Sequence, residues 1–389
     1  MAATLLTGGR CRLENVPELR DTRTMLALLD VLGCSSSVDG GTIEIDASNV
    51  TSFEAPYDLV RTMRASIYAL GPLVARYGHA RVSMPGGCAW GPRPVNLHMQ
   101  GLQALGSKIS IDHGYIDASA GKLRGEEIIF SVPSVGATVN VMMAAVLAEG
   151  RTVIENAARE PEIGELAAAL RSGGAKIEGE GTSRITVEGV SEISPFVHRV
   201  IPDRIEAGTL AAAAVITGGS VTIERCRPDH LAAVIDKLEI CGARFEIGES
   251  SMKVSGPEEI RPVNVETGFY PSFPTDMQAQ IMAILCLAKG SSSIVEHVYP
   301  DRFTHVPELR RLGAYIRLDG SVAVVSGVDH LEGAPVMATD IRASSALIIG
   351  GLVAEGETKV LRIYHIDRGY ERIEEKLQGL GADIERVSD

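Results

Sequence analysis

Three stretches of the chain are apolar almost all the way round a helical wheel: 134–148 (SVGATVNVMMAAVLA), 204–217 (RIEAGTLAAAAVIT) and 276–288 (DMQAQIMAILCLA). A helix without a polar face has no side to turn to water, so each is expected at the centre of a core. The segments around them alternate instead. Lys176-Ile177-Glu178, Thr152-Val153-Ile154-Glu155 and Arg184-Ile185-Thr186-Val187-Glu188 place every second side chain on a wet face, the pattern of half-buried strands. Helices inside and sheets outside follow, an inverted α/β arrangement.

The pattern repeats. A first glycine series marks the end of an amphipathic helix before a strand pair: Gly33, Gly106, Gly174, Gly242, Gly313 and Gly381. A second series closes the apolar helices: Gly9, Gly78, Gly150, Gly219, Gly290 and Gly356. Each suits the left-handed position that stops a helix. Two interleaved series at a spacing of about seventy residues describe six copies of one unit, each with two helices and several strands. Three copies around one helical core give a domain. The expected fold class is therefore α/β, with two inside-out domains of three repeats each. Residues 1–201 form the first and 202–389 the second. The first copy is short: only Met1–Thr7 precede Gly8-Gly9, where the other copies carry a full buried helix. By the repeat, roughly twenty to thirty further residues are expected upstream.

Composition narrows the classes. The 389 residues are 45% hydrophobic but only 4% aromatic, so the cores are built from small aliphatic side chains. A net charge of −13 argues against a nucleic-acid partner, whose backbone demands a basic surface. The apolar runs, about 13–15 residues, fall short of the ~20 that span a bilayer. Cys11, Cys34, Cys88, Cys226, Cys241 and Cys286 form no CxxC pair, which favours reduced thiols in a cytoplasmic protein over zinc or disulfides. No Gly-rich nucleotide fingerprint is present, and no cofactor or metal is called for.

Two features carry candidate chemistry. The segment Ser83-Met84-Pro85-Gly86-Gly87-Cys88-Ala89-Trp90-Gly91-Pro92-Arg93 reads as a hinged loop with a thiol at its tip and a guanidinium five residues on. An adjacent cation favours the thiolate; the plainer reading is a Gly/Pro turn with a buried cysteine. Polar groups also gather at the starts of the apolar helices: Arg64, Ser134, Arg204, Asp276, Asp340 and Arg342. Helix N-termini attract anions. With the helices of each domain pointing the same way, these ends would face one interdomain cleft, with Arg93, Arg302 and Arg368 beside it. The plainer reading is N-capping with solvent-facing arginines. Asp276 is either an ordinary cap or a proton acceptor. His98 and His365 are either acid–base groups or structural.

The motifs Pro85-Gly86-Gly87-Cys88, Arg93-Pro94-Val95, Glu155-Asn156-Ala157-Ala158-Arg159-Glu160-Pro161-Glu162, Pro274-Thr275-Asp276-Met277-Gln278, Asp301-Arg302-Phe303, Ala338-Thr339-Asp340 and Tyr364-His365-Ile366-Asp367-Arg368-Gly369-Tyr370 together resemble the enolpyruvyl transferases that act on UDP-N-acetylglucosamine. The likeness runs from Asn15-Val16-Pro17 to the C-terminus. It implies two inside-out domains and an addition–elimination between phosphoenolpyruvate and the sugar 3′-hydroxyl, the step that opens peptidoglycan precursor synthesis. It implies Cys88 as the acid for C3, the site of a phosphoenolpyruvate adduct and the target of the epoxide fosfomycin. It implies Asp276 as the acceptor of the hydroxyl proton. Arg93 and Arg368 would bind phosphoenolpyruvate, with Arg302 and Arg342 as further cleft arginines. Arg64, Arg93, Pro94, Val95, Asn96, Leu97, Ser134, Val135, Gly136, Asp276 and Val298 would hold the nucleotide sugar. The implied state is a cytoplasmic monomer or weak homo-oligomer.

This chain departs from the family at three places. The family's Lys-Asn pair at the start of the first buried helix has no counterpart here, so weak phosphoenolpyruvate binding is expected of the chain as written. Val132 replaces a common lysine and Asn96 a common aspartate. The alternative is an inactive paralogue that binds UDP-N-acetylglucosamine. The shikimate-pathway enolpyruvyl transferase shares the fold but lacks the Pro-Gly-Gly-Cys loop.

Overall fold

The structure, a computed structural model, describes residues 1–84 and 95–387. These divide into two compact units, one ending at Ile201 and the other beginning at Pro202. In both, nearly all-apolar helices sit inside and sheets lie around them.

The first unit holds three four-stranded sheets of one topology. In the first, Glu54–Ala55 runs parallel to His79–Ser83, which pairs antiparallel with Tyr115–Ser119 and then Lys108–Asp112. The second repeats this order with Glu127–Ile129, Arg151–Glu155, Arg184–Glu188 and Lys176–Glu178. The third takes its leading strand from the far end of the unit. Val197–Arg199 lies parallel to Arg10–Glu14, with Arg12 opposite Val197, and Thr42–Asp46 and Ser35–Asp39 complete it. The helix Val135–Ala145 runs through the interior with Ala137, Val141, Met142 and Met143 buried, beside Leu70–Tyr77. Where the other copies place a buried helix, the first has the 3-10 turn Ala2–Leu6, all five of whose residues are buried.

The second unit buries the helices Arg204–Thr217, Gln278–Leu285 and Ile341–Gly351. Ala211–Ala214 are buried on the first of these, small side chains that allow the close helix packing expected of a core poor in aromatics. Its sheet Val265–Glu266, Ser291–Val295, Val322–Ser326, Tyr315–Asp319 repeats the parallel-then-antiparallel order. The other sheets are reduced. Ser220–Glu224, Ser251–Ser255 and Arg244–Ile247 make three strands, and the last copy keeps two short parallel pairs. After Gly381 no strand forms among the described residues.

The two glycine series have different physical origins. All six of the first series have positive φ, from +88° to +111°, and end their helices as expected. The second series is more than a stop signal. The carbonyls of Gly9, Gly78, Gly150, Gly219 and Gly290 accept the N–H groups of Ala47, Ala120, Gly189, Gly256 and Gly327, tying each turn to the end of the last strand of its copy. Two of these glycines are not left-handed. Gly218, not Gly219, takes that conformation after the helix Arg204–Thr217, and the Gly219 N–H returns to the Ala214 carbonyl. At Gly9 a Cβ would lie 2.9 Å from the Pro195 ring, so close approach rather than handedness selects glycine there.

Candidate active site

The starts of two of the second unit's buried helices meet at one carboxylate. Asp276 is not the N-cap of its turn: that position is held by Pro274, and Asp276 lies within the first turn. Its turn, Thr275–Met277, is 3-10, follows Pro274, and has no side-chain cap bond. Pro274 is itself extended, with φ −72° and ψ 134°. The two Asp276 oxygens instead meet two guanidinium groups: Arg302 Nη1 at 2.7 Å from Oδ1 and Arg342 Nη2 at 3.1 Å from Oδ2. Both cations are largely buried, with side chains 6% and 15% exposed. Asp203 and Asp340 are the true caps, accepting from the N–H groups of Ile205 and Glu206 and of Arg342 and Ala343 respectively.

Arg342 is held tightly. Burial disfavours its cation, but Asp276, Tyr370 and Asp203 outweigh that and raise its pKa above the ordinary arginine value. Its Nη1 donates to the Tyr370 hydroxyl at 3.3 Å, which meets Thr209 Oγ1 at 2.8 Å. Gln280 Nε2 donates to the same threonine at 3.2 Å. One phenol thereby links all three buried helices. Tyr370 also ties down the 3-10 turn Ile363–Arg368, its N–H donating to the Ile366 carbonyl, and Arg368 at the end of that turn is half-buried. A Cβ on Gly369 would lie 2.8 Å from Ile341 Cγ2. Arg386 clasps Asp367, the residue before Arg368, through two hydrogen bonds. Arg204 lies over the Tyr270 ring at 5.8 Å. His365 sits against Tyr364 in the same 3-10 turn, with ring centres 4.3 Å apart.

In the first unit, Ser134 caps the helix Val135–Ala145 by accepting from the Ala137 N–H at 3.3 Å, and Ser134, Val135 and Gly136 are half-buried. His98 lies against this helix start: a Cβ on Gly136 would be 2.8 Å from its Nε2. The Asn140 amide donates to the Ile67 carbonyl and to His98 Nδ1, both at 3.0 Å, and its oxygen accepts from the Gly71 N–H. Since that amide nitrogen can only donate, His98 Nδ1 accepts and the proton sits on Nε2. Burial pushes His98 down to about 4, so the ring is neutral and structural. Arg64 opens the 3-10 turn Arg64–Ala69, half-buried. Val95 is half-buried and Asn96 exposed at the start of the helix Asn96–Ala104, whereas the Leu97 side chain is turned into the core. Cys88, Arg93 and Pro94 lie outside the described residues. The other five cysteines are all buried, and burial pushes Cys34 up to about 11 and Cys241 and Cys286 to about 12. Among the described residues no group of His, Cys, Asp and Glu is placed to hold a metal ion, and no helix is long and apolar enough to cross a membrane.

A family model described as EPSP synthase (3-phosphoshikimate 1-carboxyvinyltransferase) matches residues 1–377. The chain belongs to that family. Within it, the chain is 52% identical over 387 residues to a UDP-N-acetylglucosamine 1-carboxyvinyltransferase of Geobacter metallireducens, covering 100% of this chain and 93% of that protein. It is 53% identical over 389 residues to the protein of the same name from Myxococcus xanthus, covering 99% and 93%. Among solved structures it is similar to the enolpyruvyl transferase NikO from Streptomyces tendae, with TM-score 0.89 at 27% identity over 99% of this chain and 92% of that one. An EPSP synthase from Acinetobacter baumannii shares the fold, with TM-score 0.73 at 17% identity over 100% and 94%.

Family motifs pointed to Asp276, Arg302, Arg342 and Arg368, and in this member of the EPSP synthase family Arg302 and Arg342 both touch Asp276. Of the residues that orient them, Thr275, Gln280 and Tyr370 fall in or beside the family motifs without being given a role, and Thr209 and Glu296 were not singled out. Two left a trace: Thr209 and Gln280 are polar residues on faces of otherwise apolar helices, both buried.

Proposed function

We propose that this chain transfers the enolpyruvyl group of phosphoenolpyruvate to the 3′-hydroxyl of UDP-N-acetylglucosamine and releases phosphate, the first committed step of peptidoglycan precursor synthesis. The observation that carries the reading is the Asp276 carboxylate gripped by Arg302 and Arg342 where buried helices begin. Two guanidinium groups favour the ionised carboxylate, the form able to accept a proton. They also match the carboxylate and phosphate of phosphoenolpyruvate in fork geometry. The sequence relatives named for this reaction, each more than half identical over nearly the whole chain, support the same choice over the shikimate-pathway enzyme, whose solved structure from Acinetobacter baumannii is 17% identical.

In the proposed reaction the sugar oxygen bonds to C2 of phosphoenolpyruvate as C3 gains a proton, giving a tetrahedral adduct. Loss of a C3 proton and cleavage of the C2–O bond then regenerate the double bond and expel phosphate. Asp276 takes the hydroxyl proton and Cys88 supplies the one at C3. Arg93 and Arg368 hold the phosphoenolpyruvate anion, with Arg302 and Arg342 as further substrate-binding arginines. Arg64, Pro94, Val95, Asn96, Leu97, Ser134, Val135, Gly136 and Val298 are assigned to the nucleotide sugar, with Leu97 contributing main chain rather than side chain. The protein is read as cytoplasmic, a monomer or weak homo-oligomer, with two domains meeting at residue 201.

The test is phosphate release from phosphoenolpyruvate with and without UDP-N-acetylglucosamine, paired with mass spectrometry after fosfomycin treatment. Release that requires the sugar nucleotide, with Cys88 alkylated and the five buried cysteines untouched, is expected. Calorimetric binding of UDP-N-acetylglucosamine with no turnover and no Cys88 adduct would identify a binding paralogue instead.

A further inference from the structure

Among the described residues of the second unit, Glu296 is the one acidic side chain that is almost completely buried, at 1% exposure, and it has no role in the reaction above. It follows the strand Ser291–Val295, and its carboxylate accepts four hydrogen bonds. Oε1 takes the hydroxyl of Thr267 at 2.7 Å and the N–H groups of Val298 at 2.8 Å and Tyr299 at 2.9 Å. Oε2 takes the hydroxyl of Thr275 at 2.9 Å. A carboxylate removed from water is costly unless such donors replace the water, so the site demands an acceptor on both oxygens.

The direction of each bond is determined. Arg302 Nη1 gives one N–H to Thr275 Oγ1 at 3.0 Å and reaches Asp276 Oδ1 at 2.7 Å. Guanidinium nitrogen only donates, so Thr275 accepts from Arg302 and sends its own hydroxyl proton to Glu296. Thr267 Oγ1 likewise accepts from the His297 N–H at 3.0 Å while donating to Glu296. The chain of bonds therefore runs from Asp276 through Arg302 and Thr275 to Glu296. A second arm folds residues 296–299 back on the same carboxylate.

We propose that Glu296 is a positioning residue for the transfer. Through Thr275 it orients the Arg302 guanidinium that holds Asp276, and through the Val298 and Tyr299 N–H groups it shapes the segment assigned to the nucleotide sugar. This rests on the reading of Asp276 and Val298 given above. The two arms separate by substitution. In Glu296→Gln the amide oxygen can still serve the Oε1 donors, but the amide nitrogen facing Thr275 only donates, so the Thr275 hydroxyl proton loses its acceptor and the charge behind the Arg302 arm is gone. Thr275→Val removes the same arm from the other side, with nearly the same volume. Glu296→Ala removes both.

The experiment measures phosphate release at saturating substrates, UDP-N-acetylglucosamine binding by calorimetry and thermal unfolding on the full chain. Glu296→Gln and Thr275→Val are expected to lower kcat by about tenfold, with the sugar-nucleotide Kd within about threefold of wild type, since an orienting bond is lost and the binding segment is not. Thr275→Ser, which keeps the hydroxyl, restores most of the rate. Glu296→Ala weakens sugar-nucleotide binding as well, by about tenfold. A purely structural role would lower the unfolding temperature and leave kcat per folded molecule unchanged; that result, or Thr275→Val and Thr275→Ser losing rate alike, overturns the proposal. Wild-type turnover reads the assigned reaction independently of the variants. Without turnover, the Glu296→Ala binding loss still decides the second arm.

Discussion

At the scale of single residues, burial decides which groups carry charge. His98 is 6% exposed, and its Nδ1 is occupied by the Asn140 amide. The folded protein holds its pKa near 4, against 6.5 for the free side chain, because burial penalises the imidazolium. The sign follows from proton counting. Between those two values the unfolded chain binds a proton that the folded chain refuses, so stability is full above 6.5 and is lost as pH falls. From pH 7 to 5 this one group should cost about 2 kcal/mol. His305, also buried and held below the ordinary imidazole value mainly by burial, acts in the same direction in the other unit. Urea unfolding at a series of pH values tests it. His98→Gln should be less stable at pH 7 yet show a flatter acid slope, and identical slopes in variant and parent would refute the assignment.

At the scale of elements, the same substitution should have opposite signs at two glycines of the first unit. Gly164 sits inside the helix Pro161–Ser172 with its nearest outside neighbour, Glu180 Cγ, 3.8 Å from where a Cβ would stand. Gly164→Ala should stabilise by up to about 1 kcal/mol through helix propensity. Gly189 follows the strand Arg184–Glu188, donates to the Gly150 carbonyl, and a Cβ there would fall 1.6 Å from the Ala148 oxygen. Gly189→Ala must push the turn after the buried helix aside and should destabilise by about 1–3 kcal/mol. Denaturant midpoints at constant slope measure both. Gly150 in the second glycine series was legible as a punctuation mark because its spacing is periodic. Its partner Gly189, thirty-nine positions on, was not, because nothing in the local pattern says which carbonyl will crowd it. The site divides in the same way. Buried helices and the arginines at their starts follow from periodicity and from family motifs. That Asp276 would be clasped rather than cap its helix depends on Arg302 and Arg342, brought to it only by packing. The interior hydroxyl of Tyr370 and the Glu296 carboxylate are visible only once three helices and a strand end have met.

At the scale of the whole molecule, the described apolar side chains form two separate clusters, one within residues 2–196 and the other within 205–377. Each unit also satisfies its backbone with its own sheets, and the third sheet of the first unit closes on itself by pairing Val197–Arg199 with Arg10–Glu14 rather than with anything beyond Ile201. Cooperativity follows shared burial, so two cores imply two unfolding units. Scanning calorimetry of the unliganded chain should therefore fit two transitions rather than one. Gly189→Ala supplies the assignment. Its strain lies wholly in the first cluster, and for a unit of about 200 residues each kcal/mol moves a midpoint by roughly 2–4 °C. The lower or the upper transition should shift by that amount and the other stay in place. If both midpoints moved together, or a single transition with equal calorimetric and van't Hoff enthalpies were observed, the two cores would be energetically one, and the division at residue 201 would be geometric only.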